Sequence, residues 1–357
     1  MGWWHWIVEA LTGSHSPEKS GSARKAPKAE NDAAVAVLDA PDVPETPADD
    51  PADQLENWWE EFADGDKDLV APVRPELAHE DRAFENLLIS NFDGHNLTLP
   101  PMPGTLERVL ANLRDPKCEF AKIAQIIGED QANAAAVLRI VNSPMYRGMD
   151  EITSLRLAIT RLGAKAVRTL MMHQAMRKSI FTGKSSLKAL VELIWKRSLA
   201  SACIMRSLST VTKVDEEDSF LMGLLHGIGN VIVLRCAQDA SNLRKYNVPY
   251  DVFEFLCYEC QQEFGELIAD EWKLPDLIRS LVVDHHEYPA EDDPRRVFRL
   301  MLRITQMING VIGYGPEGNY DIAHCRAVAD LGLEDSPEYL RFLRRLPAEL
   351  EENIEAL

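Results

Sequence analysis

The chain has 357 residues, a formal net charge of −19, 46% hydrophobic residues and a mean hydropathy of −0.21. Its length suits two average domains, or one large domain with a tail. A chain this acidic repels a phosphate backbone unless it has a segregated basic face, so we expect no nucleic-acid partner. Six scattered cysteines and the lack of a signal peptide favour the cytoplasm. No run approaches the roughly 18 apolar residues of a membrane helix.

Residues 1–75 are predicted to form a largely disordered acidic arm. Residues 1–92 contain 20 acidic and 7 basic side chains, and residues 39–66 contain eleven acidic side chains with no lysine or arginine. Prolines at 41, 44, 47 and 51 also break any helix early in that stretch. A segment of this composition buries too little apolar surface to offset the entropy cost of ordering it.

Two short aromatic stripes interrupt this arm. The second stripe places four residues on one face of a helix, at i, i+3, i+4 and i+7: Leu55, Trp58, Trp59 and Phe62. Such a stripe either docks on its own domain or inserts into the groove of a partner protein, and these four residues are the candidate partner contacts. For the first stripe, with Trp3, Trp4 and Trp6, contact with a membrane surface is a third alternative, although basic residues are lacking.

From residue 76 onward the sequence predicts successive helices and no sustained period-2 alternation, so the fold class is all-α. We expect a connecting helix over 76–92, a compact multi-helix domain over 93–330 and a helical appendage over 331–357. The clearest apolar stripe has its residues at 106, 109, 110 and 113 and ends at the Asp-Pro turn of residues 115–116. Gly163 is placed to end a later helix in the left-handed conformation.

Several separate motifs resemble the HDOD family, in the order that the family has them. They are residues 99–103 (LPPMP), 139–143 (RIVNS), 158–163 (AITRLG), 194–198 (IWKRS), 223–229 (GLLHGIG), 272–275 (WKLP) and 285–286 (HH). The resemblance covers about two thirds of the chain and leaves out the first 90 or so residues. It implies an all-helical domain related to the HD phosphohydrolases and the HD-GYP phosphodiesterases. It also implies a non-catalytic module of bacterial signalling.

The same resemblance identifies a remnant pocket in which the catalytic pattern is degraded. Arg197 stands where the first histidine of an HD site is expected, and Gly227 replaces the aspartate that follows His226. A guanidinium cannot ligate a metal, and glycine has no side-chain oxygen. His285 and His286 remain from the pattern. We therefore expect no catalytic residue, no resident metal and no cofactor.

Two interpretations of these histidines stay open. His226 is either a core histidine hydrogen-bonded to the backbone or part of a rebuilt site for a metal or a phosphate-bearing ligand, whose charge Arg197 would neutralise. The leading hypothesis is a module that binds other signalling proteins. The alternatives are a metal-dependent phosphodiesterase or phosphohydrolase that uses His226, His285 and His286, and a receptor for a nucleotide messenger. The CxxC of Cys257 and Cys260 lacks a second cysteine pair and is predicted to be structural.

Overall fold

The computed structural model describes residues 57–93, 102–113, 119–143, 145–146, 151–180, 187–244, 246, 248–274, 276–283, 287–316 and 318–356. Within these ranges the fold is all-α, as predicted, with one isolated bridge between Asp66 and Tyr320 in place of any strand. The α-helices of these ranges are α1 (His79–Asp93), α2 (Gly104–Leu113), α3 (Phe120–Gly128), α4 (Gln131–Val141), α5 (Leu155–Ile180), α6 (Lys188–Thr212), α7 (Glu216–Leu225), α8 (Asn230–Arg244), α9 (Tyr250–Glu271), α10 (Asp276–Val283), α11 (Arg296–Val311), α12 (Arg326–Asp330) and α13 (Pro337–Ala356).

The antiparallel neighbours α6 and α7 form the centre of the domain. Helix α7 is buried on every side from Ser219 to Leu225, which fits a sequence that is apolar all round after its acidic first turn. The Asp215 side chain caps this helix by accepting a hydrogen bond from the Asp218 amide at 2.9 Å. Helix α6 also packs against α8, α11 and α13, so it reaches both the candidate pocket and the C-terminal end of the chain.

The predicted apolar stripe of α2 is confirmed, because Leu106, Val109 and Leu110 are buried against α3 and α5. Helix α5 is interrupted at Gly163, which has a positive φ of 75°. Its ψ of 176° is extended, so the predicted left-handed helical conformation is wrong, although a residue that tolerates positive φ is required there. The methionines of this helix at 171, 172 and 176 are core residues, as the helical spacing indicates.

The chain from residue 57 to residue 77 forms an ordered segment that we call the strap. Composition predicts disorder up to residue 75, but the structure shows this part of the arm packed on the domain. Trp59 and Leu77 are buried, and backbone hydrogen bonds join Asp66 to Asn319 and Asp321. A few buried apolar side chains and a short run of backbone pairing therefore order a segment that is otherwise polar.

The predicted C-terminal appendage packs on the main domain as helix α13. Tyr339, Leu343 and Leu346 are buried in this helix, which continues through Pro347. The Tyr339 hydroxyl donates a hydrogen bond to the Ile322 carbonyl at 2.6 Å.

One stretch, Glu216–Ser241, is long and apolar enough to meet the criteria for a membrane span, contrary to the expectation from the sequence. In the structure 89% of the 18-residue part of this stretch that meets the criteria is buried inside the protein. The central helices of water-soluble domains commonly meet the same criteria, so this stretch is weak evidence for a membrane.

Candidate functional site

Two of the predicted pocket residues, Arg197 and His226, line one cavity of about 110 Å³. Helix α6 supplies Arg197, and the turn between α7 and α8 supplies His226. Helices α9 and α11 form further walls, and strap residues 69–72 line another side. Arg197 and His226 of the predicted remnant pocket therefore share a cavity, but Gly227 is not among its lining residues. Part of the lining comes from outside the region that resembles the HDOD family.

The guanidinium of Arg197 is bonded to the protein through two of its nitrogens. Its Nη2 donates to Oε1 of Glu254 at 2.6 Å, and its Nε donates to the backbone carbonyl of Tyr314. The Arg197 and Glu254 side chains are only 10% and 6% exposed. Because Glu254 already compensates its charge, Arg197 offers little to an incoming phosphate, which weighs against the predicted anion site.

His226 is hydrogen-bonded to the backbone, as the structural interpretation of this residue predicts. Its Nδ1 lies 2.7 Å from the carbonyl oxygen of Gly223, one turn earlier in α7, and the residue is 4% exposed. Since a carbonyl only accepts, Nδ1 is the donor in this hydrogen bond. The carbonyl of His226 in turn accepts a hydrogen bond from Nε2 of Gln261 at 3.4 Å.

The three glycines of the motif at residues 223–229 play different structural roles. A Cβ atom on Gly223 would lie closer than 3.0 Å to the backbone of Ser201. A Cβ atom on Gly229 would likewise lie closer than 3.0 Å to the backbone of Gln261. Both positions therefore allow close helix approach. Gly227 does not share this role, since a Cβ there would meet only Nδ2 of Asn230, at 3.4 Å.

His285 and His286 lie outside the described residues, as does Asp284, so the structure does not test whether they join the cavity. Helix α10 ends at Val283, and the description resumes at the exposed Glu287. Within the described part of the chain, no group of three or more His, Cys, Asp or Glu side chains is placed to hold a metal ion.

The polar lining of the cavity comes mostly from residues that the motifs do not mark. Glu254, Asn230, Gln306 and Asn309 all line it, and each has a buried side-chain oxygen without a hydrogen-bond partner among the described residues. One sequence signal could have found Glu254: it is a single acid within the apolar run VFEFL of α9. An acid in such a run requires a buried partner, which is Arg197.

The CxxC motif lies on α9 and does not have the environment of a reactive pair. Burial raises the pKa of the Cys257 thiol well above its usual value and that of Cys260 to about 12. Both thiols are therefore protonated near neutral pH. A reactive cysteine instead needs a lowered pKa, so the geometry supports the structural interpretation.

The second aromatic stripe contacts its own chain. Trp58 Nε1 donates to the Leu343 carbonyl of α13 at 2.7 Å, and the Arg344 guanidinium lies 5.8 Å from the ring centroid of Trp59. Phe62 packs edge-on against Trp58. The stripe forms a short 3-10 helix, Trp58–Phe62, rather than a longer α-helix. These contacts correspond to the first of the two alternatives for this stripe, docking on its own domain rather than insertion into a partner protein.

Some predicted arm contacts cannot be compared with the structure. Leu55 of the second stripe lies outside the described residues, as do Trp3, Trp4 and Trp6 of the first.

Comparisons with known proteins agree with this fold. A solved structure from Shewanella amazonensis SB2B, provisionally named a metal-dependent phosphohydrolase, superimposes with a TM-score of 0.63 at 17% identity, covering 76% of this chain and all of that one. An HDOD domain protein of unknown function from Geobacter sulfurreducens gives a TM-score of 0.54 at 22% identity, with 77% and 95% of the two chains covered. At these identities the likeness concerns the fold alone.

Two sequence matches complete the comparison. An uncharacterized protein of Treponema pallidum (strain Nichols) is 21% identical over 199 residues, which is 54% of this chain but only 38% of that relative. The HDOD domain model matches residues 99–288, within the domain predicted over 93–330. Since this match spans more than half of the chain, the protein belongs to the HDOD family.

Proposed function

We propose that this protein is a non-catalytic, cytoplasmic signal-transduction module that acts by binding other proteins. The observation that carries the proposal is the ion pair between Arg197 and Glu254. By the motif resemblance, Arg197 stands where an HD hydrolase would have its first histidine ligand. A hydrolytic centre needs ligands that hold a metal and lower the pKa of its bound water. A buried guanidinium bonded to a carboxylate opposes a metal at that position.

Gly227, the residue after His226, supports the same proposal. The position has room for a side chain, so packing does not force the glycine there. Neither a close helix contact nor a positive φ explains the absence of a carboxylate at this point. The chain therefore lacks an acidic oxygen at a position where a Cβ atom would meet no backbone.

The strap is the candidate partner-binding element of this module. Trp58 and Trp59 contact helix α13, and Phe62 packs against Trp58, so a partner would reach these side chains only when the strap is released. Aromatic side chains of this kind typically dominate protein interfaces. The surface that the strap covers on α13 would be exposed in the same step.

The proposal is tested by affinity purification of the full chain from its native cell, with metal content measured on the same sample. A Trp58→Ala/Trp59→Ala variant should recover less partner protein, while a matched Trp195→Ala variant controls for general loss of a tryptophan. We expect no turnover of cyclic dinucleotides. Stoichiometric iron, manganese or zinc that is lost in His226→Ala, together with such turnover, would instead establish the phosphodiesterase alternative. Equal partner recovery by all variants would remove the strap from the proposal.

A further inference from the structure

The strap separates the candidate cavity from solvent. Strap residues 69–72 line this cavity of about 110 Å³, together with Arg197 and His226. Val70 is 55% exposed and Ala71 is also exposed, whereas Arg197 and His226 are buried. A residue that borders both the cavity and the solvent belongs to a wall that is one chain thick. On the side of the strap, the cavity is therefore closed by a single irregular segment and not by a packed helix.

Two prolines stiffen this segment. The rings of Pro72 and Pro75 fix φ at about −65°, and they restrict the preceding residues, Ala71 and Arg74, to extended conformations. Every third residue from 69 to 75 is partly buried, and the residues between them are exposed. A repeat of about three residues is the period of a polyproline II helix, which has no internal hydrogen bonds. We therefore expect the segment to move as one stiff piece.

The stiff segment is attached mainly at its two ends. No backbone–backbone hydrogen bond within the described part of the chain involves residues 71–76. At the first end, Asp66 pairs through its backbone with the segment 319–321. The carboxylate of Asp68 accepts hydrogen bonds from the guanidinium of Arg303 at the same end. Loss of these contacts would free the wall of the cavity along its whole length.

The second end of the segment is continuous with helix α1. Leu77 is buried there, and Arg74 forms an ion pair with Glu85 of this helix at 2.7 Å. The first end depends on a short backbone pairing and on an ion pair in which the Asp68 side chain is 37% exposed. Because solvent screens a partly exposed pair, we expect the end at residues 66–68 to open while the end next to α1 acts as the hinge.

We propose that the strap is a lid on the candidate cavity, which opens at residues 66–68 and turns about residues 76–78. Molecules from solvent enter or leave the cavity only when this lid is open. Release of the strap would also expose Trp58 and Trp59, so one step would open the cavity and present the aromatic side chains. This link to partner binding rests on the proposed function. By linkage, a molecule that fits only the closed cavity would weaken partner binding.

The test measures how fast a thiol inside the cavity of the full chain is alkylated by iodoacetamide. Asn230 lines the cavity and is 3% exposed, so Asn230→Cys places a reporter there. Peptide mass spectrometry separates this reporter from the native cysteines. Cys203 of α6 is the internal reference, because it is 3% exposed and does not line the cavity, so its alkylation reports unfolding of the domain. If Asn230→Cys lowers the thermal midpoint of unfolding, Gln306→Cys is the reporter instead, since Gln306 also lines the cavity.

The lid is loosened by Asp68→Asn, which keeps the shape of the side chain and removes the counter-charge of Arg303. We expect the reporter to be alkylated about tenfold faster than in the parent, relative to Cys203, because one hydrogen-bonded ion pair is lost. Asp64→Asn is the matched control, since Asp64 is an exposed acid of the same strap with no ion pair among the described residues. It should leave the reporter at the parent rate.

Two results would overturn the proposal. Equal reporter rates in Asp68→Asn and Asp64→Asn would mean that molecules reach the cavity without movement of the strap. A rise at the reporter that Cys203 matches would mean that the strap opens only when the domain unfolds. The alkylation needs no partner protein, whereas the pull-down tests partner binding alone, so failure of the lid is distinguishable from failure of the proposed function.

Discussion

Arg197 and Glu254 form a buried ion pair that links helices α6 and α9 across 57 residues of sequence. Nη2 of the arginine lies 2.6 Å from Oε1 of the glutamate. The two opposite charges compensate each other inside the domain. The contact uses only one carboxylate oxygen of Glu254, and the other has no partner among the described residues.

The ion pair gives the first prediction. Glu254→Leu should destabilise the protein by about 3–5 kcal/mol, because it leaves the guanidinium of Arg197 buried without its counter-charge. The double variant Arg197→Met/Glu254→Leu should recover most of that loss, since apolar replacement of a whole buried pair is often neutral. Urea unfolding of the wild type, both single variants and the double variant measures the coupling. Additive losses would show that the two side chains do not act as a pair.

The strap gives the second prediction, through its contact with helix α11. Asp68 accepts hydrogen bonds from Nε and Nη2 of Arg303, whose side chain is 6% exposed, while that of Asp68 is 37% exposed. Asp68→Asn keeps the shape and removes the charge. We expect the free energy of opening the strap to fall by about 1–2 kcal/mol, a value that allows for solvent screening of the partly exposed Asp68.

The amide of Asp66 donates to the carbonyl of Asn319, and the amide of Asp321 donates to the carbonyl of Asp66. Hydrogen exchange at these two amides reports the opening of the strap. Their exchange should be faster by roughly one order of magnitude in Asp68→Asn. Asp64→Asn is the matched control, since Asp64 is an exposed acid in the same segment. Equal exchange in the two variants would show that the ion pair does not hold the strap. The proposed function also predicts that a freer strap recovers more partner protein.

The helices were predictable because each one has apolar residues that repeat at the helical period in the local sequence. The strap has no local pattern that indicates order. The stripe of Leu106, Val109 and Leu110 repeats at the helical period and is buried as expected. The strap is ordered by backbone bonds to residues 319–321 and by single contacts such as Asp68 with Arg303. Those partners lie more than 230 residues away in sequence, so local composition alone indicates disorder.

The site was predictable only in part, for the same reason. Motif resemblance correctly brings Arg197 and His226 to one cavity, because both positions belong to the family pattern. It does not reveal that Glu254 neutralises Arg197, since that contact depends on how α9 packs against α6. The amides of Asn230, Gln306 and Asn309 carry no motif, and only the packed structure shows that they share a cavity.

The glycines give the third prediction. Gly223→Ala should cost about 3 kcal/mol, because the new methyl group would clash with backbone atoms of Ser201 that cannot move without shifting α6. Gly227→Ala is the matched control and should lie within about 1 kcal/mol of the wild type, as its Cβ would meet only the Asn230 side chain at 3.4 Å. Thermal and urea unfolding measure the stability of both variants relative to the wild type. Equal costs would mean that Gly227 is also a packing glycine, which would weaken its use as a sign of lost chemistry.

A buried histidine outside the cavity gives the fourth prediction. His173 of α5 is fully buried, and its ring centroid lies 4.8 Å from that of Trp195. Burial, together with the charges of Arg177 and Arg139, lowers its pKa from 6.5 to about 3. The folded protein therefore keeps His173 neutral at pH values where the unfolded chain protonates it.

The sign of the pH effect follows from this difference. Below pH 6.5 the unfolded state binds the extra proton, so stability is full above that pH and falls as the pH drops toward 3. Between pH 7.5 and pH 5 the loss from this residue should be about 2 kcal/mol. Burial raises the pKa of Glu217, which has the opposite effect on stability, but that contribution is common to the wild type and a His173 variant.

The measurement is the difference in unfolding free energy between the wild type and His173→Gln across this pH range. The wild type should lose about 2 kcal/mol more than the variant on going from pH 7.5 to pH 5. His79→Gln, at an exposed position of α1, should follow the wild type. If His173→Gln retains the full pH dependence, the ring is not neutral in the folded core, and the acid sensitivity of the domain arises elsewhere.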